Sequence, residues 1–192
     1  MSVIALIGDS ITRGFGGGHL AEALQELRPD DDIRRYAEVG LTMSPNGSRP
    51  YEQSAVYPKA LNARADVYVI MLGSNDTNPD SWQGKDVFGK EYAAFVSIFE
   101  MTGAKVILCT VPHVFPKRED PVMDFDLQWP YVPDVVEAVK AVAAEKGLGL
   151  IDVYSATSGC EEVFNVDGVH PRREGGQVIA GAIHQGLLNH GI

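Results

Sequence analysis

Four short apolar runs, at residues 3–7, 67–72, 106–111 and 148–153, govern what this chain can fold into. They are rich in Val, Ile and Leu. None alternates strictly between apolar and polar residues, as a strand with one wet face does. Such runs suit strands of a parallel sheet covered by helices on both faces. A weaker run at 33–39 is a fifth candidate strand.

Helical stripes stand between the runs. Leu20, Ala23, Leu24 and Leu27 form one, closed by Pro29. Phe88, Tyr92, Phe95 and Phe99 form a second, followed by Gly103 as a helix stop. Val132, Val135, Val139 and Val142 form a third, ended by Gly147. A last helix is expected over 174–189, with Ile179, Ile183 and Leu187 on one side and Gly191 just past its end. These stripes read as core packing and not as a cofactor box. With no internal repeat and no low-complexity linker, the alternation predicts a single domain over 1–192. Its expected architecture is a flavodoxin-like, doubly wound α/β fold with a mostly parallel five-stranded sheet flanked by helices. In such sheets ligands bind beyond the carboxyl ends of the strands.

Charge narrows the function classes. The formal net charge of -10 repels phosphate backbones and anionic lipid headgroups, so neither a nucleic acid nor a membrane is an expected partner. No apolar run is long enough to span a bilayer. The N-terminal stretch lacks a basic flank and ends at once in Gly8-Asp9, so it reads as a core strand and not as a signal peptide; a cytoplasmic location is the expectation. Of the two cysteines, Cys109 lies inside an apolar run and reads as a buried, reduced thiol. Neither Cys109 nor Cys160 belongs to a spacing that resembles a zinc site, and no metal or organic cofactor is expected.

Polar motifs fall where the strands end. The first run leads into Gly8-Asp9-Ser10-Ile11-Thr12, and the run at 67–72 leads into Gly73-Ser74-Asn75-Asp76-Thr77. Just before the last helix stands Asp167-Gly168-Val169-His170-Pro171. An Asp and a His three apart on a tight turn can face the same point. There the carboxylate accepts one imidazole N–H and leaves the other ring nitrogen to act as a base.

Taken in order, Gly8-Asp9-Ser10, Gly40, Gly73-Ser74-Asn75-Asp76 and Asp167-Gly168-Val169-His170 resemble the four sequence blocks of the SGNH (GDSL-like) hydrolases. The likeness spans nearly the whole chain. It implies the SGNH hydrolase fold and a serine esterase, with Ser10 as nucleophile, His170 as its base and Asp167 orienting the imidazole. It also implies an oxyanion hole made by the backbone N–H groups of Ser10 and Gly40 and the side-chain amide of Asn75. Two departures stand out. The first block reads GDSIT in place of GDSL, and Glu38 and Val39 stand beside Gly40 where small or amide residues are frequent. Leu72 to Thr77, Trp82 and Arg49-Pro50-Tyr51 are similar to the branch of carbohydrate and sialate O-acetylesterases.

Asp9, Trp82 and His113 are further candidates for touching substrate. His113 follows the run at 106–111 and could line the same cleft. The glycine-rich stretch Arg13-Gly14-Phe15-Gly16-Gly17-Gly18 fails the dinucleotide fingerprint, because His19 takes the place of the third glycine, and reads as a flexible loop beside the nucleophile. The segment 112–131 is long for a compact domain, which makes it a candidate wall of the substrate pocket or a plain surface excursion. Three functions result. The first is hydrolysis of small acyl esters, with acetyl on a sugar hydroxyl as the expected substrate. The second keeps the chemistry and moves to longer acyl chains, as a thioesterase or lysophospholipase. The third is a flavodoxin-like module that binds a phosphorylated ligand, and the acidic balance and failed fingerprint argue against it.

Overall fold

The computed structural model describes residues 1–118 and 129–192. Five strands run in chain order: β1 (Val3–Gly8), β2 (Asp32–Ala37), β3 (Val67–Met71), β4 (Lys105–Cys109) and β5 (Gly149–Ile151). Among the described residues seven α-helices accompany them: α1 (Ser10–Arg13), α2 (Leu20–Leu27), α3 (Tyr57–Leu61), α4 (Lys85–Glu100), α5 (Val132–Lys146), α6 (Val153–Ala156) and α7 (Arg173–Asn189). The sheet order is β2-β1-β3-β4-β5, and every strand pairing within this sheet is parallel.

Alternate residues of each strand serve opposite cores. Ala5, Ile7, Tyr68, Ile70, Val106 and Leu108 meet the apolar faces of α4 and α5. Ile4, Leu6, Val67, Val69, Ile107 and Ile151 meet α2 and α7. Both sides of the central strands are therefore dry, which is why their sequences lack polar alternation. β2 is an edge strand, and its weaker pattern follows from that. Its Arg34 donates to the Ala63 carbonyl at 2.7 Å, and its Arg35 pairs with Glu22 at 3.2 Å.

Several boundaries differ from the sequence expectation; β2, for one, ends at Ala37 and not at residue 39. Leu27 ends α2 exposed, so the apolar stripe of that helix is carried by Leu20, Ala21 and Leu24. β4 stops at Cys109, short of residue 111. The run at 148–153 yields only the three residues of β5, because Asp152 accepts the Ser155 N–H at 3.0 Å and caps α6; Val153 thus opens a helix.

The parallel order creates a switch point between β1 and β3. From β1 the chain moves outward to β2 on one side, and β3 begins the march to the other side. Loops diverge there and leave a crevice at the strand carboxyl ends. Ser10 follows β1 and Asn75 follows β3, so two of the sequence motifs flank this crevice.

Close backbone approach fixes the start of α7. A β-carbon on Gly176 would lie 1.6 Å from the Gly18 carbonyl oxygen, whereas one on Gly181 in the same helix would meet nothing within 4 Å. Gly176→Ala is expected to cost about 1–3 kcal/mol and lower Tm by roughly 2–10 °C. Gly181→Ala should instead add about 0.5–1 kcal/mol through helix propensity. Thermal unfolding of the two variants side by side checks the pair.

Candidate active site

The nucleophile candidate sits on a turn with no slack. A β-carbon on Gly8 would lie 2.0 Å from Thr12 Oγ1, so only glycine lets α1 fold back against the end of β1. Asp9 then caps the turn: its Oδ1 accepts the Ile11 N–H at 3.0 Å. Ser10 opens α1 and is 3% exposed.

His170 reaches it from the other end of the chain. Ser10 Oγ lies 2.9 Å from His170 Nε2, and His170 Nδ1 lies 2.7 Å from Asp167 Oδ2. The other oxygen, Asp167 Oδ1, accepts the backbone N–H groups of Val169 at 2.9 Å and His170 at 3.0 Å. One carboxylate thus shapes the turn and holds the ring. Burial pushes Asp167 up, but the bonds from the His170 ring and from these two N–H groups outweigh it and hold the carboxyl below its ordinary value. An ionised carboxylate can only accept, so Nδ1 carries the proton and Nε2 is the atom that accepts from the serine hydroxyl.

Two segments buttress this turn. Phe115 N–H donates to the Gly168 carbonyl at 2.8 Å, and Gly168 has a φ of 71° with no room for a β-carbon against the Phe115 oxygen. The glycine-rich stretch is the second. The Phe15 ring stands edge-on to His170 at 4.8 Å. Asn165 Nδ2 donates to both the Gly16 and His170 carbonyls at 2.9 Å. Gly16 and Gly18 pass too close to His170 and Pro171 to carry side chains. The stretch is therefore packed as a wall behind the histidine, which corrects its reading as a flexible loop.

The candidate oxyanion side draws on the second and third sequence blocks. Asn75 lies in a 3-10 turn after β3 and is 7% exposed. Its Nδ2 donates to the Leu41 carbonyl at 2.9 Å, which ties the third block to the second. Gly40 has a φ of 77°, and a β-carbon there would touch only the Arg49 side chain at 4.0 Å; the position asks for glycine because of its backbone and not its space. Glu38 beside it pairs with Arg49 at 2.7 Å, and Arg49 also donates to the Val39 carbonyl. This ion pair fastens the loop whose usual small residues are missing.

Asp76 is a residue that the motif reading left without a task. Its two oxygens accept the N–H groups of Met43 at 2.8 Å and Ser44 at 2.7 Å, so it clamps the second block to the third. Burial raises it to about 6 despite these two bonds. Its place directly after Asn75 in the motif is the only sequence signal that could have singled it out.

The three further substrate candidates are placed differently. Asp9 is 2% exposed and points inward, to the Ile11 N–H and to Asn75 Nδ2 at 3.4 Å; the structure corrects its reading as a substrate contact. Trp82 is half-buried, stacks on Tyr131 at 5.6 Å and leans on Phe88. The His113 ring stacks on Tyr154 at 3.8 Å and on Phe115, and its backbone N–H donates to Thr157 Oγ1, so it packs against Phe115, α6 and the residue that ends α6. Tyr51 is fully buried, with its hydroxyl on the Tyr36 carbonyl, and belongs to the core. Much of the 112–131 segment, residues 119–128, lies outside the described residues. Among the described residues no group of three or more His, Cys, Asp or Glu could hold a metal ion, and no helix is long and apolar enough to cross a membrane.

The sequence pattern of the GDSL-like Lipase/Acylhydrolase family matches residues 6–178. The chain belongs to this family. An acetylxylan esterase from Xylanibacter ruminicola is 25% identical over 214 residues; the match covers 94% of this chain and 42% of that protein. The chain therefore spans less than half the length of this curated relative. A solved carbohydrate acetylesterase from Sinorhizobium meliloti shares the fold with a TM-score of 0.84 at 18% identity, over 99% of this chain and 100% of that one. A lipase/acylhydrolase from Enterococcus faecalis shares it with a TM-score of 0.77 at 22% identity, over 99% and 97%.

Proposed function

We propose that this GDSL-like hydrolase removes small acyl groups, acetyl above all, from carbohydrate hydroxyls through an acyl-enzyme on Ser10. The observation that carries the chemistry is the chain of contacts from Ser10 Oγ to His170 Nε2 at 2.9 Å and from His170 Nδ1 to Asp167 Oδ2 at 2.7 Å. The relative named as an acetylxylan esterase and the structural neighbour named as a carbohydrate acetylesterase support the choice of substrate.

In this mechanism Ser10 Oγ attacks the ester carbonyl while its proton passes to His170 Nε2. Asp167 stabilises the imidazolium that forms. The negative charge on the former carbonyl oxygen is met by the N–H groups of Ser10 and Gly40 and by Asn75 Nδ2. On collapse, the C–O bond to the sugar breaks and His170 returns the proton to the departing hydroxyl. Water, deprotonated by His170, then attacks the acyl-serine, and acetate leaves with Ser10 restored.

A chain-length series tests the substrate class. For p-nitrophenyl esters, kcat/KM is expected to fall at least about tenfold from acetate to octanoate, with a burst of p-nitrophenol if deacylation is slow. Acetate release from acetylated xylo-oligosaccharides should accompany it. Octanoate turned over faster than acetate would replace this reading with a thioesterase or lysophospholipase acting on longer chains.

A further inference from the structure

We infer that Asp9 is a positioning residue for the oxyanion site, its buried carboxylate holding the Asn75 amide so that the N–H it accepts can be handed to an oxyanion formed beside Ser10. The inference rests on the proposed roles of Ser10 and Asn75. Asn75 Nδ2 stands between two acceptors, the Leu41 carbonyl at 2.9 Å and Asp9 Oδ2 at 3.4 Å. Turning the amide over would set its own oxygen against both of them. The two acceptors therefore decide which end of the amide faces which way, and Asp9 supplies the charged one. The longer contact is weak enough to be exchanged for a shorter bond when an oxyanion forms.

Capping alone does not account for an aspartate here. Asn caps a helical turn about as well as Asp, and it would accept the Ile11 N–H without a buried charge. The carboxylate is instead costly where it stands. Burial raises it to about 7, and among nearby charges Asp76 raises it further while His170 opposes. Among the described residues no Lys or Arg side chain pairs with it; its hydrogen-bond partners are the Ile11 N–H and Asn75 Nδ2. A buried carboxylate without a cationic side-chain partner destabilises the fold, yet in its ionised form, above about pH 7, it only accepts, so it can hold an N–H and cannot compete as a donor.

Asp9→Asn separates the two roles. Its Oδ1 can keep the Ile11 N–H, but its amide N–H₂ then faces that of Asn75, donor against donor. With p-nitrophenyl acetate, kcat should fall roughly 10²–10³-fold with KM nearly unchanged, as for the loss of one oxyanion donor. At pH 8 the variant should melt no lower than the wild type, because a buried charge has gone. In an Asn75→Ala background the same change should cost less than about threefold, because its effect runs through Asn75. Full activity in Asp9→Asn overturns the inference. So does an equal loss in both backgrounds, or a loss that comes only with a lowered Tm. Ser10→Ala in the same series keeps the two readings apart. If Ser10→Ala is inactive and the Asp9 and Asn75 losses simply add, only the role of Asp9 falls; if Ser10→Ala is active, the esterase reading falls first.

Discussion

Replacing Ser10 by alanine is expected to lower kcat for p-nitrophenyl acetate by roughly 10⁴–10⁶-fold and to leave the fold intact. The size follows from what is lost. Without Oγ there is no acyl-enzyme, and His170 Nε2 faces a methyl group across the 2.9 Å contact. Residual activity would come from the remaining oxyanion donors acting on water. The fold should survive because the cap of α1 is made by Asp9 and the close turn by Gly8, neither of which the change touches. Kinetics and circular dichroism on the same preparations check both halves. A variant that stays active while folded would show that another group attacks the ester.

Asp167→Asn is expected to lower kcat by about 10⁴-fold with little change in KM. Asp167 Oδ2 dictates that Nδ1 carries the proton. An asparagine can present its N–H₂ there, and the ring then takes the opposite tautomer, with a proton on Nε2 facing Ser10. The base is lost although every heavy atom stays in place. A stability effect goes with it. The Asp167 carboxyl is held below its ordinary value, so its contribution is present above the usual carboxylate range and is lost as pH falls through the lowered value. Asp167→Asn should therefore narrow the Tm difference between neutral and acidic pH. Asp9 has the opposite sign: its charged form costs stability as pH rises from 3.8 through about 7. Melting curves at about pH 2, 4 and 8 read the two signs separately, with the Asp167→Asn effect falling below pH 4 and the Asp9→Asn effect between pH 4 and 8; equal responses of both variants in both windows would contradict this assignment.

Local spacing carried much of the site in the sequence. Asp167 and His170 are three residues apart, and a single turn of chain fixes how they can meet. Gly8-Asp9-Ser10 follows directly on the strand that positions it. The strands were legible because continuous apolar runs have few homes other than a doubly covered sheet, and the weak run at 33–39 was weak because β2 is an edge. Sequence reading went astray where a residue's role depends on a partner far along the chain. Asp76 clamps Met43, 33 residues away, and the Asn165 side chain ties the Gly16 loop across 149 positions. His113 and Leu27 were assigned from their place along an element, but the direction a side chain faces at an element's end is decided by neighbouring segments, here α6 for His113.

The amino-acid sequence by itself determined the sheet, its covering helices and the residue types available for nucleophile, base and oxyanion donor, because periodicity and short spacings act within a few residues. Only the tertiary structure decided that Ser10 and His170, 160 positions apart, stand within a hydrogen bond, that a glycine-rich stretch walls the histidine, and that Asp9 is buried against Asn75. Those contacts depend on the order of strands in the sheet and on which loops share its carboxyl edge, and distant segments meet there through packing that leaves no periodic mark on either of them.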